Sequence, residues 1–238
     1  IVSNLSFLPV NENNLVYKAA RLLQEEFALT DGISVKLTKR IPVAAGMAGG
    51  STDAAAMLYA MNQLYDLGLS RRELMKRGVQ IGADVPYCLM RGTALAEGIG
   101  EKLTELPPMI KCPVLIAKPS ISVSTKFVYQ NLKLDEQTNH PDIDALMKDI
   151  REKDFDGVCA HMGNVLEKVT IEEYPVIEQI KNVMKEQGAL NAMMSGSGPT
   201  VFGLFEDGET AKRALREMKR SGLAKQVYLT TIYNNRRK

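Results

Sequence analysis

Residues 42–56 are the stretch of this chain whose residue types are best suited to chemistry. The stretch reads Pro-Val-Ala-Ala-Gly-Met-Ala-Gly-Gly-Ser-Thr-Asp-Ala-Ala-Ala, with few bulky side chains. The start of a helix presents unpaired backbone N–H groups and the positive end of the helix dipole, and phosphate oxygens are common ligands there. Small residues let such oxygens approach the backbone closely. The stretch therefore predicts a phosphate-binding loop.

This loop differs from the two commonest nucleotide-binding motifs. No lysine follows Gly50, as a Walker loop requires, and the Gly-x-Gly-x-x-Gly fingerprint is missing. A loop kept small so that a helix can pack closely on a strand is the structural alternative. We favour phosphate binding, and the predicted contacts are Pro42, Val43, Ala44, Ala45, Gly46, Met47, Ala48, Gly49, Gly50, Ser51 and Thr52.

Polar side chains at the end of the loop leave several roles open. Ser51 and Thr52 could bind phosphate or Mg²⁺, or they could cap the following helix. Asp53 would repel a triphosphate, so we expect it to act as a cap rather than as a metal ligand. His140 and His161 occupy no metal-ligand spacing, and we predict no metal site built by the protein.

The elements that must position the loop follow from hydrophobic periodicity. Apolar and polar residues alternate over 33–38, as in a half-buried strand, and apolar residues recur at helical spacing over 55–64. Asn14 is placed to cap an earlier helix, and Ser70 opens a capping box. Prolines at positions 107 and 108 interrupt regular structure. We place the domain boundary there, with domains over 1–108 and 109–238.

Strands and helices alternate in the second half of the chain. This order is typical of a ferredoxin-like α+β domain. The predicted strands cover 114–117, 189–194, 201–205 and 227–232, and the main predicted helices cover 143–150, 176–187 and 209–220.

Bulk composition favours a globular protein with a small anionic ligand. Hydrophobic residues make up 45% and charged residues 24%, and the pI is about 8.4. Lysines and arginines are dispersed, which argues against a nucleic-acid partner. Cys88, Cys112 and Cys159 lie far apart without a Cys-x-x-Cys spacing, which favours reduced thiols in the cytosol and no zinc site. No apolar run is long enough to predict a membrane span.

Four segments resemble motifs of the GHMP kinases, the superfamily of galactokinase, homoserine kinase and mevalonate kinase. They are residues 42–56, Gly-Ala-Asp-Val-Pro at 82–86, Ala-Glu-Gly-Ile-Gly-Glu at 96–101 and Met-Ser-Gly-Ser-Gly-Pro at 194–199. Gly49 and Gly50 stand where most of the superfamily has Ser-Ser. This variant is similar to one branch, whose acceptor substrate is a cytidylyl sugar-alcohol diphosphate of the non-mevalonate isoprenoid pathway.

The resemblance implies an α+β, two-domain GHMP kinase fold. Its N-terminal domain would be like domain 2 of ribosomal protein S5, and its C-terminal domain would be ferredoxin-like. The resemblance also implies ATP and Mg²⁺ as cofactors and Asp84 as the catalytic group, which deprotonates or orients the acceptor hydroxyl. By residue type alone, Asp84 could be a helix-ending or turn-capping residue.

Five further positions match the family's substrate-binding residues. Thr125 and Tyr129 match positions that line the substrate pocket, where an aromatic ring would stack on cytosine. An amphipathic residue at a domain edge is the alternative for Tyr129. Ser195, Gly196 and Ser197 match the third motif of the family, which lies against the acceptor site and supports the ATP loop. A plain hairpin turn is the alternative there.

The resulting prediction is a cytosolic, ATP-dependent small-molecule kinase that acts as a monomer or weak homodimer without nucleic-acid or membrane partners. The rivals are a homoserine- or mevalonate-type GHMP kinase and a GHMP-fold sensor that binds ligand without turnover. The family's first motif, which carries a lysine near the phosphoryl-transfer centre, has no match here. We expect that motif to precede Ile1.

Overall fold

The chain divides into two units in the computed structural model, which describes residues 1–134 and 140–234. The first unit holds Ile1–Val43 and Ala48–Glu105, and the second holds Ala44–Met47 and Leu106–Lys238. Four residues of the predicted phosphate loop therefore belong to the second unit, and their neighbours on either side belong to the first. The functional boundary between residues 108 and 109 stays a prediction.

The first unit is mainly helical. β1 and β2 are parallel to each other, and β3 and β4 form an antiparallel pair. The strand predicted over 33–38 is only two residues long, because only those two residues pair with β1. In chain order, the elements are β1 (Val2–Ser3), α1 (Leu15–Glu26), β2 (Lys36–Leu37), α2 (Gly49–Leu64), α3 (Arg71–Gly78), α4 (Val85–Met90), β3 (Ala94–Glu97) and β4 (Lys102–Glu105).

Helix starts in the first unit follow the predicted caps at two places. The Val16 N–H donates to Asn14 Oδ1 at 2.9 Å, which starts α1. Ser70 and Glu73 form the reciprocal capping box that opens α3. Both predictions are confirmed.

Helix α2 is fixed in place by helices on two sides, α1 and α4. Ala19 on α1 and Ala54 and Leu58 on α2 are completely buried. Alanines at such a contact allow two helices to approach closely, so the start of α2 rests on a tightly packed core.

The second unit contains one four-stranded antiparallel sheet with the strand order β6-β7-β5-β8. Its elements are β5 (Pro113–Lys118), α5 (Thr125–Asn131), α6 (Ile143–Glu152), α7 (Phe155–His161), α8 (Glu167–Glu173), α9 (Val176–Glu186), β6 (Asn191–Met194), β7 (Val201–Leu204), α10 (Gly208–Ser221) and β8 (Gln226–Thr231). The first strand of this unit lies between the third and the fourth, as in a ferredoxin-like domain. The predicted ferredoxin-like arrangement is confirmed.

Helices α9 and α10 pack against this sheet. Leu115 on β5, Met184 on α9 and Met218 on α10 are fully buried in one cluster. Truncating such a side chain to alanine typically costs about 2–5 kcal/mol. The turn from β6 to β7 is therefore carried by well-packed strands. Within the described residues, no helix has the length and apolar character needed to cross a bilayer.

Candidate functional site

The start of α2 leaves backbone donors without acceptors. Ala48 stands at the N-cap in the left-handed conformation, with φ of +47°, and no side chain caps the helix. The first helical bond runs from the Thr52 N–H to the Ala48 carbonyl at 2.8 Å. The N–H groups of Gly49, Gly50 and Ser51 therefore precede the helical ladder, and the described residues supply no acceptor for them. This arrangement is suited to binding an anion.

The surroundings of Gly49 and Gly50 differ in whether they leave room for a side chain. A Cβ on Gly49 would lie 2.8 Å from Ile41 Cγ2 and 3.0 Å from Lys39 Nζ, so packing alone excludes a side chain. Gly50 is exposed, and among the described residues a Cβ there would meet only Leu15 Cδ1, at an ordinary 3.4 Å. Close packing of the helix on the preceding strand therefore explains the glycine at position 49. It does not explain Gly50, which leaves room for a ligand.

Gly46 lies in the second unit, against the turn between β6 and β7. Its φ is +67°, and a Cβ would lie 2.2 Å from the Ser195 carbonyl oxygen and 3.0 Å from that of Gly198. Ser195 Oγ donates to the Gly46 carbonyl at 2.8 Å. The structure thus brings together part of the predicted phosphate loop and part of the predicted substrate turn.

Asp53 does not cap α2, so that expectation was wrong. Its carboxylate forms an ion pair with Lys39, because the lysine side chain lies against the start of the helix. The Lys39 side chain is only 5% exposed. Asn4 holds the Lys39 backbone, accepting its N–H at 2.7 Å and donating to its carbonyl at 3.2 Å. Lys39 was not predicted as a site residue from the sequence, where its one signal was its position directly after a predicted strand.

The hydroxyl groups of Ser51 and Thr52 differ in availability. Thr52 Oγ1 donates to the Ala48 carbonyl at 3.0 Å and lies 3.4 Å from Cys88 Sγ. Burial raises the pKa of Cys88, so its thiol stays neutral. Ser51 is half-buried, and its hydroxyl has no partner among the described residues. Ser51 is therefore the freer hydroxyl for a phosphate or Mg²⁺.

Asp84 stands at the N-cap position of α4, but its side chain caps nothing. The residue is exposed, and its carboxylate has no hydrogen-bond partner in the described part of the chain. The Cys88 N–H donates to the Asp84 carbonyl at 3.1 Å, so the two residues lie one turn apart on one face of α4. Because Cys88 contacts Thr52, this face lies beside the first turn of α2. The structure therefore does not support a helix-capping role for the Asp84 side chain.

The turn from β6 to β7 also contacts α5. The Ser195 N–H donates to the Thr200 carbonyl at 2.8 Å, which closes the turn. Thr125 Oγ1 and Ser197 Oγ lie 2.8 Å apart. Tyr129 follows Thr125 by one helical turn and is 61% exposed, so its ring is open to a ligand. The structure places these predicted substrate residues together within the second unit.

The described residues contain no group of three or more His, Cys, Asp or Glu side chains arranged for a metal ion. His161 instead pairs with Asp149, at 2.6 Å between Nδ1 and Oδ2, and this hydrogen bond raises the pKa of His161. An Mg²⁺ ion carried by nucleotide phosphates needs few protein ligands. In the described part of the first unit, the hydroxyl of Ser51 has no partner and could contact such an ion.

Two family models match the chain. The GHMP kinases N-terminal domain matches residues 14–92, and the GHMP kinases C-terminal model matches residues 146–224. The chain belongs to the GHMP kinase family, which confirms the resemblance and the two-domain fold.

Curated relatives are similar over nearly the whole chain. The 4-diphosphocytidyl-2-C-methyl-D-erythritol kinase of Lachnospira eligens is 59% identical over 98% of this chain and 81% of its own length. The enzyme of the same name from Geobacillus sp. is 47% identical over 99% of this chain and 81% of its own length.

Solved structures share the fold. A crystal structure of 4-(cytidine 5'-diphospho)-2C-methyl-D-erythritol kinase is 30% identical, with a TM-score of 0.80, over 97% of this chain and 82% of that one. Homoserine kinase from Cytophaga hutchinsonii has a TM-score of 0.83 at 22% identity, over 98% of this chain and 81% of that one, which shows the fold alone.

Proposed function

We propose that this protein transfers the γ-phosphoryl group of ATP to the 2-hydroxyl group of 4-diphosphocytidyl-2-C-methyl-D-erythritol. Two of the curated relatives described above carry the name of a kinase for this acceptor. One structural observation carries the chemical part of the proposal. It is the uncapped start of α2, which contacts through Cys88 the face of α4 that also carries Asp84, whose carboxylate has no partner among the described residues.

The start of α2 binds the triphosphate. The N–H groups of Gly49, Gly50 and Ser51 donate to phosphate oxygens, and the helix dipole adds favourable charge. The buried ammonium group of Lys39 lies beside this helix start and pairs with Asp53. The pairing balances the Asp53 carboxylate, which would otherwise repel the phosphates.

Asp84 orients or deprotonates the acceptor hydroxyl. Phosphoryl transfer needs an acceptor oxygen in line with the γ-phosphorus and compensation of the developing charge. The acceptor oxygen forms a bond to phosphorus while the bond to the β,γ-bridging oxygen breaks and ADP leaves. The released proton passes to Asp84 or to solvent. An exposed carboxylate that caps no helix is free to accept that hydroxyl proton.

Mg²⁺ supplies charge compensation when it is bound to the nucleotide. Its proposed protein ligand in the first unit is the free hydroxyl of Ser51, and no set of acidic side chains is required.

The second unit recognises the acceptor. Tyr129 offers an exposed ring on which cytosine can stack, and Thr125 lies one turn away, in contact with Ser197. Of the turn residues Ser195, Gly196 and Ser197, the last two offer the diphosphate backbone N–H groups that have no acceptor among the described residues. Ser195 donates its N–H to Thr200 and its hydroxyl to Gly46, and so shapes the turn.

An acceptor panel tests the proposal. The protein is incubated with ATP and Mg²⁺ and with the cytidylyl substrate, L-homoserine or mevalonate, and ADP formation and the ³¹P spectrum of the product are recorded. We expect kcat/KM for the cytidylyl substrate to exceed the others by roughly 100-fold or more, because a site built for polar groups rejects analogues that lack them. A preference for another acceptor would overturn the substrate assignment. ADP formation with none of them would favour a ligand sensor.

Several remaining expectations belong to this proposal. We expect an ATP-binding domain over residues 1–108 and a second domain over residues 109–238. We also expect a cytosolic protein that is monomeric or weakly dimeric, with no nucleic-acid or membrane partner. Its three cysteines are free. Sedimentation at several protein concentrations would test the oligomeric state.

A further inference from the structure

A set of three polar side chains outside the predicted site residues holds the turn between β6 and β7. We name Asn164, Glu167 and Lys181 the polar clamp. Asn164 precedes α8, Glu167 is the first residue of α8, and Lys181 lies on α9. All three belong to the second unit, as does the turn.

Asn164 uses both amide hydrogens on the turn. Its Nδ2 donates to the Met194 carbonyl at 2.9 Å and to the Gly196 carbonyl at 2.8 Å. Its Oδ1 accepts the Leu166 N–H at 3.0 Å, which fixes the side chain from the α8 side. The two carbonyls bracket Ser195, so one side chain sets the course of the backbone on both sides of that residue.

Glu167 holds the strand end from which the turn departs. Its Oε1 accepts the Met194 N–H at 2.6 Å, and its Oε2 accepts from Lys181 Nζ at 2.6 Å. Burial disfavours the charged form of Lys181, but hydrogen bonds and charges from Glu167 and Glu178 outweigh it and raise the lysine pKa. The ion pair therefore persists at neutral pH and holds the carboxylate against Met194.

The clamp also determines the direction of one free donor. Because the peptide unit is planar and trans, the Gly196 carbonyl and the Ser197 N–H point in opposite directions. Fixing the Gly196 carbonyl on Asn164 therefore directs the Ser197 N–H away from Asn164. Among the described residues, nothing accepts a hydrogen bond from that N–H. The hydroxyl oxygen of the same residue, Ser197 Oγ, lies 2.8 Å from Thr125 Oγ1.

We propose that Asn164, supported by Glu167 and Lys181, is a positioning residue that directs the Ser197 N–H at the anionic part of the acceptor substrate. This inference rests on the proposed function, because it takes the turn as the acceptor-binding segment. Asn164 acts through the turn and does not touch the substrate itself. The structural alternative is that the clamp only stabilises the second unit.

Asn164→Asp is the main test. Aspartate keeps the acceptor for the Leu166 N–H, but it places a carboxylate oxygen against two carbonyls that had shared a donor. Hydrogen bonds of this kind are each worth a factor of several in affinity, so we expect the KM for the acceptor to rise on the order of 10- to 50-fold. The KM for ATP should rise less than the KM for the acceptor, since the donors at the start of α2 belong to the first unit and only Gly46 of the phosphate loop is shown against the turn in the described residues.

Asn191→Asp is the matched control. Asn191 also uses both ends of its amide, donating to the Cys159 carbonyl at 2.6 Å and accepting the Ala192 N–H at 2.8 Å. It is half-buried on the same strand that carries Met194, and none of its side-chain hydrogen bonds to described residues reaches the turn. We expect this variant to lower the melting temperature by a similar amount while leaving the acceptor KM unchanged.

Glu167→Gln provides a second variant in case Asn164→Asp does not fold. The amide oxygen can still accept the Met194 N–H, but the ion pair with Lys181 is lost. We expect the acceptor KM to rise about threefold to tenfold, with the ATP KM retained. In the variant that folds, an unchanged acceptor KM, or an equal rise in both KM values, would overturn the positioning role.

Failure of this inference can be distinguished from failure of the proposed function. If the unmodified protein does not phosphorylate the cytidylyl substrate, the proposed function fails. If the unmodified protein is active and the clamp variants behave like Asn191→Asp, only the positioning role fails.

Discussion

Helices α2 and α10 both begin with glycine, but their first turns are satisfied in opposite ways. At α10, Asp207 Oδ1 accepts the N–H groups of Glu209 and Thr210 at 2.8 and 2.9 Å. At α2, Ala48 has no side-chain acceptor to offer. The chain therefore supplies its own anion to one helix start and leaves the other available for a ligand.

An absent cap is not by itself evidence of a binding site. A side-chain cap stabilises a helix by about 0.5–2 kcal/mol, so its omission has a cost. Helices α8 and α9 also start without one, but on the bulky residues Leu166 and Pro175. Helix α2 differs in having an exposed Gly50 and, against its first turn, the face of α4 that carries Asp84, whose carboxylate has no partner among the described residues. We therefore interpret the start of α2 as a ligand site rather than an ordinary uncapped helix.

Asp84→Asn should have the largest effect on turnover. Asp84 and Asp207 both stand at N-cap positions, but only Asp207 caps its helix. Loss of a general base or orienting anion typically costs about 10²–10⁴ in rate, so we expect kcat to fall at least roughly 100-fold. Binding of ATP and acceptor, measured by calorimetry, should be retained.

Asp207→Asn is the control for that variant. Asparagine caps a helix about as well as aspartate, so both kcat and the melting temperature should stay close to those of the unmodified protein. Near-normal turnover in Asp84→Asn would leave Asp84 as a structural residue and remove the centre of the proposed mechanism.

Gly50→Val should weaken ATP binding about 100-fold, through loss of two charge-assisted hydrogen bonds worth about 1.5 kcal/mol each. The new side chain would occupy the space needed by phosphate, while its Cβ would make only an ordinary contact with Leu15 among the described residues. Gly208→Val is the control, because it alters the start of α10, where a Cβ meets no described residue within 4 Å. Calorimetric ATP affinity and the melting temperature are measured for both. Equal ATP affinity in the two folded variants would argue against the phosphate site.

Tyr129→Ala should raise the KM for the acceptor about 10- to 100-fold, because stacking of one base is worth roughly 1–3 kcal/mol. The KM for ATP should change much less. Tyr129→Phe keeps the ring and should behave like the unmodified protein. A similar rise in both KM values for Tyr129→Ala would indicate general damage to the second unit.

Asp207→Ala should have the smallest effect, confined to stability. The hydrogen bond from the Thr210 backbone lowers the pKa of Asp207 from its ordinary value of 3.8. The ionised cap therefore stabilises the fold above that ordinary value, and the contribution is lost as pH falls through the lowered pKa. We expect a melting temperature a few degrees lower at neutral pH, a gap that closes in acid, and unchanged kinetics. A gap that widened in acid would contradict this sign.

Local signals predicted much of this molecule. The caps at Asn14 and Ser70 depend on residues two or three positions away, and both were found. The strand and helix order of the second unit was visible because each long element carries its own periodicity. Helix α7 was missed, because seven residues are too few to show a clear helical period.

Distant partners could not be predicted. Asp53 was expected to cap its helix, but its partner Lys39 lies 14 residues earlier and approaches only after folding. The contact of Asn164 with Gly196 spans 32 residues. Such contacts depend on how helices pack, and no local pattern encodes them. The residue types of the candidate site could therefore be proposed from the sequence, whereas the side chains that hold them in place could not.

Backbone amide NMR would detect phosphate oxygens bound at the uncapped start of α2. ATP with Mg²⁺ and, separately, adenosine are titrated into the protein while the amide signals of Gly49, Gly50 and Ser51 are followed. We expect large downfield shifts of these signals with ATP but not with adenosine, and unchanged signals for Glu209 and Thr210 at α10. Unshifted signals at Gly50 and Ser51 under saturating ATP would contradict phosphate binding at this helix start.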